Sequence, residues 1–251
     1  MSGVVKQRLD VLLVARGLAE TRARAHALVL AGLVFSGEQR LDKPGLTVRE
    51  DVDLEVRGAP HPWVSRGGVK LAHALEHFRL DPTGAVAVDV GASTGGFTDV
   101  LLTHGAAKVY AVDVGRAQLA WKLRQDPRVV VLEGVNARTL SSAEIPEPPD
   151  WIVCDASFIG LEVLLPAALA LAAPRATLVA LIKPQFEVGA SRVGKGGVVR
   201  DPAPHVEVCE RVRGWVAGRG WSVLGIAESP IQGPAGNREF LIAAERGRPS
   251  Q

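Results

Sequence analysis

The strongest constraint on this chain is a series of short apolar, β-rich runs spaced along its last two thirds. AVAVDV begins at Ala85, KVYAVDV at Lys108, RVVVLEG at Arg128, WIVCDA at Trp151 and TLVALIKP at Thr177, followed by WSVLGIAES and REFLIAAE. Helical patterns fill gaps between them at 67–78, 96–104, 158–172 and 203–218. Strands alternating with helices predict an α/β domain, a mainly parallel, doubly wound sheet with helices on both faces. The last two runs are joined only by SPIQGPAGN, so the pair is free to run antiparallel. No internal repeat or low-complexity tract is visible.

Residues 8–57 read differently. RLDVLLVARG carries Leu9, Leu12 and Leu13 on a helical stripe that stops at Gly17. Thr21 is placed to cap a second helix, TRARAHALVLAG, ending at Gly32. LVFSGEQ and VDLEV then alternate like short strands. Arg8, Arg16, Arg22 and Arg24 fall on or between the helices, and residues 1–25 hold five basic and two acidic side chains. The stretch RLDVLLVARGLAETRARAHALVLAGLVFSG resembles the RNA-binding module shared with ribosomal protein S-four, with Thr21 where that family usually has Ser. The resemblance implies that the four arginines contact RNA; a small dimerisation unit with a solvated basic face is the alternative. RGAPHPWV follows and reads as a linker. The expected organisation is a small α+β module over 1–60, a linker over 61–65 and a larger domain over 66–251.

In an open α/β sheet, ligands bind beyond the carboxyl ends of the strands. VDVGASTGGF, residues 88–97, runs from strand into glycine-rich turn there. Its GxxxGG spacing departs from the GxGxxG dinucleotide fingerprint. Asp113 ends the next strand, twenty-two residues after Gly91, where a carboxylate can accept both ribose hydroxyls of an adenosine. Asn136, past the third strand, is placed to hydrogen-bond adenine. An adenosine site without a phosphate clamp fits S-adenosylmethionine better than NAD; structural glycines in a tight turn are the plainer reading.

Four further polar residues recur at strand or helix ends: Lys70 in SRGGVK, Asp155 in CDASF, Lys183 in LIKPQFE and Glu239 in GNREF. Singly, each has an ordinary explanation: Asp155 as a helix cap, Lys183 as an exposed lysine, Glu239 as a surface residue. Together with the glycine turn they resemble the Lys-Asp-Lys-Glu set of FtsJ-like RNA 2'-O-methyltransferases. The whole chain resembles the TlyA family of ribosomal RNA methyltransferases, also called haemolysin A. The resemblance implies a class I methyltransferase fold and S-adenosylmethionine held by Asp89, Gly91, Ser93, Gly95, Phe97, Asp113, Asn136 and Asp155. It further implies a cytidine of ribosomal RNA in an assembled subunit as target, and catalysis by Lys70, Asp155, Lys183 and Glu239. Lys183 ends its strand at the rim and is cast as general base. A free lysine, pKa about 10.4, is protonated at neutral pH; burial and Lys70 would lower that value, and Asp155 would oppose them. Asp155 then orients the lysines and the hydroxyl, and Glu239 holds Lys70 or the ribose. Phe158 and Phe186 flank the rim, where they either stack on a base or pack in the core. Trp63 resembles the aromatic of the family's interdomain linker.

Composition narrows the partners. Formal charge is +2, from 29 basic and 27 acidic residues, so RNA contact has to come from local clusters. The apolar start is interrupted by Arg8, Asp10 and Arg16 and does not read as a signal peptide. Residues 161–174 are apolar but broken by Glu162 and Pro166, and fall short of the roughly 20 residues that span a bilayer. A cytoplasmic protein without stable membrane association is expected. Cys154 and Cys209 lack metal-ligand spacing and are expected as buried thiols. Two look-alikes need mention. GASRVGKGG, from Gly189, carries GxxxxGK, but Gly196 stands where a P-loop needs Ser or Thr; the family resemblance implies a flexible loop near the substrate. HALEH, residues 73–77, matches H-x-x-E-H without an evident third ligand, and no metal is expected.

Overall fold

A computed structural model describes residues 6–56 except 20, 31 and 38, and residues 61–247 except 190, 191, 195, 234 and 235. The chain divides into two compact units, Met1–Pro62 and Trp63–Gln251.

The first unit begins with β1 (Lys6–Arg8), α1 (Leu9–Ala15) and α2 (Arg22–Leu30). Gly17, at φ +70°, ends the first helical run in the left-handed region that glycine reaches without strain. Thr21 does cap α2: its Oγ1 accepts from the Arg24 backbone N–H at 3.1 Å. Short strands follow: β2 (Val34–Ser36), β3 (Gln39–Arg40), β4 (Thr47–Arg49) and β5 (Glu55–Val56). β1 pairs antiparallel with β4, and β2 lies between β3 and β5. The β1–β4 pair has no clear sequence signal, because three residues are too few to show alternation. Leu9, Leu12, Leu13, Leu28, Val29 and Val34 fill the core beneath the two helices.

The second unit is a seven-stranded sheet. Its elements are α3 (Gly67–Phe78), β6 (Val86–Val90), α4 (Gly96–Thr103), β7 (Lys108–Asp113), α5 (Trp121–Arg124), β8 (Val129–Glu133) and β9 (Trp151–Cys154). Then come α6 (Leu161–Leu164), α7 (Pro166–Leu171), β10 (Ala176–Ile182), α8 (Pro184–Glu187), α9 (Pro202–Ala217), β11 (Ser222–Glu228) and β12 (Phe240–Arg246). The strand order is β11-β12-β10-β9-β6-β7-β8. β12 runs antiparallel to both neighbours; the remaining pairs are parallel. The class is α/β and Rossmann-like, with the antiparallel last pair the short connection allowed.

The helix expected over 158–172 is instead two short helices, α6 and α7. Pro166 has no N–H for a carbonyl one turn back, so the run breaks and restarts with proline in the first turn. Phe158, at φ +69°, and the extended Gly160 delay the start to Leu161. One apolar cluster packs α3 and α4 on one sheet face; a second packs α6, α7 and α9 on the other. Cutting a fully buried leucine such as Leu181 back to alanine in such a core costs about 2–5 kcal/mol.

Candidate functional site

Strand alternation builds the site. Successive side chains of a strand point to opposite faces. Trp151 and Val153 of β9, Val179 and Leu181 of β10, and Leu241 and Ala243 of β12 all pack on the α3/α4 side. Continuing each strand by two residues puts Asp155, Lys183 and Glu239 on that same face. Ile182 sits opposite Phe240 in the ladder, so Lys183 and Glu239 leave adjacent strands at the same end. Lys70 reaches this rim from α3, one residue before the core residue Leu71.

The four side chains form one alternating chain of charge. Glu239 accepts from Lys70 Nζ at 2.7 Å. Lys70 Nζ lies 3.5 Å from Asp155 Oδ2. Lys183 Nζ lies 2.7 Å from Asp155 Oδ1, in ion-pair contact without hydrogen-bond alignment, and donates to Ser157 Oγ at 3.0 Å. Lys70, Lys183 and Glu239 are buried. Lys183 is therefore not an ordinary exposed lysine, nor Glu239 a surface residue. Two residues extend the set beyond the sequence reading: Ser157, and Gln185, whose Nε2 donates to Glu239 Oε1 at 3.4 Å. Each stands two positions past a charged residue already singled out, a spacing that gave no signal by itself. Gly233 matters too, since a Cβ there would lie 2.2 Å from Glu239 Oε1. Buried ion pairs are often no more stable than apolar replacements, so four such charges at one rim point to chemistry rather than to stability.

Asp155 also lines a cavity of about 630 Å³ at the carboxyl ends of the strands, with Gly91, Ser93, Asp113, Asn136 and Phe158 among its walls. Gly91 sits at φ +82°, and a Cβ there would come within 2.9 Å of the Ala156 Cα. Asp113 is fixed by two backbone donors: Ser93 N–H to Oδ2 at 2.8 Å and Gly115 N–H to Oδ1 at 2.7 Å. Its remaining lone pairs are available for hydroxyls. Asn136 Oδ1 accepts from Arg138 N–H at 3.1 Å, which leaves its amide N–H groups for a ligand. Arg138 and Gln118 add polar wall that the sequence reading did not foresee.

Three residues expected at the cofactor do not line this cavity. Gly95 faces helix packing: a Cβ there would lie 2.3 Å from Leu123 Cδ1 and 2.8 Å from Leu119 Cδ1. Phe97 is buried in the α3/α4 core. Asp89 is fully buried beneath the turn, and its Oδ2 accepts from Thr98 N–H at 2.9 Å and Thr98 Oγ1 at 2.7 Å, fixing the start of α4. Among the described residues its Oδ1 has no partner, and burial pushes the carboxyl up to about 7. Next to Asp155, burial likewise pushes the Cys154 thiol up to about 12, so it is no thiolate nucleophile. Phe158 is 88% exposed in the left-handed region, with its ring 5.0 Å from that of Phe186. A bulky residue held there signals local constraint.

The four arginines of the first unit do not form one free face. Asp10, fully buried, accepts from Arg8 at 3.0 Å and Arg22 at 2.9 Å. The Arg8 side chain nevertheless stays 50% exposed and that of Arg22 63%. Arg16 donates to the backbone carbonyls of Val52 and Glu50 and closes the unit's own loop. Arg24 donates to the His61 carbonyl at 3.0 Å.

Both cysteines are free and buried. His73 and His77 rings lie 5.7 Å apart; among the described residues no three His, Cys, Asp or Glu side chains gather as a metal site. Of the P-loop look-alike, Ala190, Ser191 and Lys195 lie outside the described residues. Among the described residues no helix is long and apolar enough to cross a membrane.

Residues 63–246 match the FtsJ-like methyltransferase family, and residues 7–54 match the S4 domain. The chain is 46% identical over 238 residues to the 16S/23S rRNA (cytidine-2'-O)-methyltransferase TlyA of Mycobacterium tuberculosis, covering 94% of this chain and 89% of that protein. It is 37% identical to Hemolysin A of Brachyspira hyodysenteriae, over 93% of this chain and 98% of that one. A solved structure from Streptococcus thermophilus, named among the hemolysins, superposes with a TM-score of 0.76 at 44% identity, over 97% of this chain and 90% of its own.

Proposed function

The chain belongs to the TlyA family, an FtsJ-like methyltransferase domain behind an S4 domain, and from that premise we propose that it methylates a ribose 2'-hydroxyl of ribosomal RNA with S-adenosylmethionine. The substrate is a cytidine of a ribosomal subunit, and the setting is the cytoplasm. The observation that carries the reading is the Glu239–Lys70–Asp155–Lys183 chain, whose Asp155 lines the strand-end cavity.

The residues present suit the cofactor. Asp113, held from behind by two N–H groups, offers acceptors for the ribose hydroxyls, and Asn136 offers donors to adenine. Gly91 lines the cavity and lets its backbone lie close against Ala156. When bound, the cofactor supplies an electrophilic methyl group on a sulfonium sulfur, which leaves as a neutral thioether. In its neutral amine form Lys183 would take the 2'-hydroxyl proton as that oxygen accepts the methyl group, and Asp155 would pair with the ammonium that results. Asp155 holds Lys183 in place and Lys70 beside it; Glu239 fixes Lys70 in turn. Phe158, exposed at the cavity mouth beside Phe186, offers its face to the target base. Positioning of this kind is worth orders of magnitude in rate. In the first unit, Arg8 and Arg22 keep enough exposure to meet phosphates while anchored to Asp10.

The experiment is incubation with labelled S-adenosylmethionine and undermodified ribosomal subunits, followed by digestion to nucleosides. Label in 2'-O-methylcytidine is the expected result. Label on a base, or none on RNA, would overturn the reading.

A further inference from the structure

We infer that Glu133 is a positioning residue for cofactor binding: it holds segment 114–119 in the shape that walls the strand-end cavity. The inference rests on the reading of that cavity as the S-adenosylmethionine site. Glu133 closes β8, does not line the cavity, and has a side chain only 13% exposed. Its carboxylate accepts from three successive backbone N–H groups: Ala117 at 2.7 Å, Gln118 at 2.9 Å and Leu119 at 3.1 Å. The Arg124 guanidinium donates to the same carboxylate. Three amides around one carboxylate make an anion nest whose anion is the protein's own side chain.

The segment it gathers is under strain and adjoins the cavity. Ala117 sits at φ +56°, a conformation that a residue with a Cβ keeps only where its surroundings enforce it. Val114 and Gln118 line the cavity, and Leu119 packs under Gly95 of the glycine turn. A second tie runs through the backbone, Gly134 N–H to the Gly115 carbonyl at 3.0 Å and Val135 N–H to the Asp113 carbonyl at 3.1 Å. Glu133 thus links the end of β8 to the loop that follows Asp113. Without the carboxylate, three amides lose their acceptor, Ala117 has nothing to hold its backbone, and cofactor binding must order the loop again.

The test uses the full chain. In Glu133→Ala, hydrogen exchange at the amides of residues 117–119 should lose protection, and the Kd for S-adenosylmethionine by calorimetry should rise about tenfold, the cost of re-ordering a short loop. The turnover number at saturating cofactor and the Michaelis constant for subunits should hold, a split that general destabilisation would not give. Glu133→Gln keeps an acceptor for the amides and should fall between, and it serves if the alanine variant folds poorly. Adding Ala117→Gly to Glu133→Ala removes the backbone strain and should recover part of the affinity. Retained amide protection would overturn the inference, as would lost protection with unchanged Kd. Wild-type protein that binds no S-adenosylmethionine would overturn the cavity reading and this inference with it, whereas normal wild-type binding with an indifferent Glu133 overturns this inference alone.

Discussion

Each of the two units holds cations on a buried carboxylate, and they do so in opposite ways. In the first, Asp10 is buried and its partners Arg8 and Arg22 reach out to 50% and 63% side-chain exposure. In the second, Lys70 and Lys183 are themselves enclosed, at 8% each, Lys70 between Glu239 and Asp155 and Lys183 against Asp155. An anchored but exposed guanidinium keeps its charge for a phosphate and pays little desolvation. An enclosed ammonium is shielded from water and held at a fixed place, which suits proton transfer. On the proposed roles, exposure, more than the ion pair itself, separates binding from chemistry.

The largest effect should come from breaking the enclosed chain. Lys70→Ala leaves Glu239 buried without its cation, which should cost about 3–5 kcal/mol of stability, read by denaturant unfolding, together with the activity. Lys70→Met combined with Glu239→Leu should restore much of the stability but no turnover. A double variant that methylates would show that the pair is structural. Next in size, Asp113→Ala removes a fixed acceptor and should weaken S-adenosylmethionine binding by about 10- to 100-fold in calorimetry, from hydrogen bonds to a charged group worth about 1.5–3 kcal/mol. Its circular dichroism should stay that of the wild type.

A smaller effect is expected on the exposed side. Replacing Arg22 by Ala should lower subunit affinity and reduce the log–log salt slope by about 0.7, as one phosphate contact is lost. Cofactor affinity should not move. An unchanged slope would return the first unit to the dimerisation alternative.

The smallest effects concern pH and have opposite signs in the two units. The hydrogen bond from Arg8 holds the Asp10 carboxyl well below the usual carboxylate range. A lowered carboxyl stabilises the fold above its unfolded pKa and loses that contribution as pH falls toward the folded value. Asp89 is raised to about 7 by burial, so its contribution is complete in acid and is lost as pH rises from about 4 through 7. Thermal melts against pH should therefore show the stability gap between Asp10→Asn and wild type closing in acid. For Asp89→Asn, a gap in the variant's favour should open toward neutrality. Parallel curves for either variant would show that the carboxyl titrates normally.

Much of this was legible in the sequence because it depends on period and punctuation. The seven strands follow from their apolar runs, and the Thr21 cap and Gly17 stop from local chemistry. Asp155, Lys183 and Glu239 were readable as strand-end positions and Lys70 as part of a helix; their linkage was not, since 169 residues separate Lys70 from Glu239 and only the tertiary fold brings them together. Gly91 and Gly95 look alike in sequence, but Gly91 lines the cavity and lies close to Ala156, while Gly95 leaves room for Leu119 and Leu123. Arg16 likewise reads as one more basic residue until its backbone partners are seen. The short β1–β4 pair and the break at Pro166 depend on tertiary pairing and a single ring, where hydrophobic pattern is silent or points the other way.

The most direct test of the central claim is Lys183→Arg, measured beside wild type for cofactor affinity and for 2'-O-methyl transfer to undermodified subunits. Arginine keeps the positive charge but does not give up its proton at neutral pH. If Lys183 takes the hydroxyl proton, S-adenosylmethionine should bind as before while transfer falls by a factor of about 10²–10⁴. Transfer at near the wild-type rate would contradict the account and leave Lys183 as a charge alone.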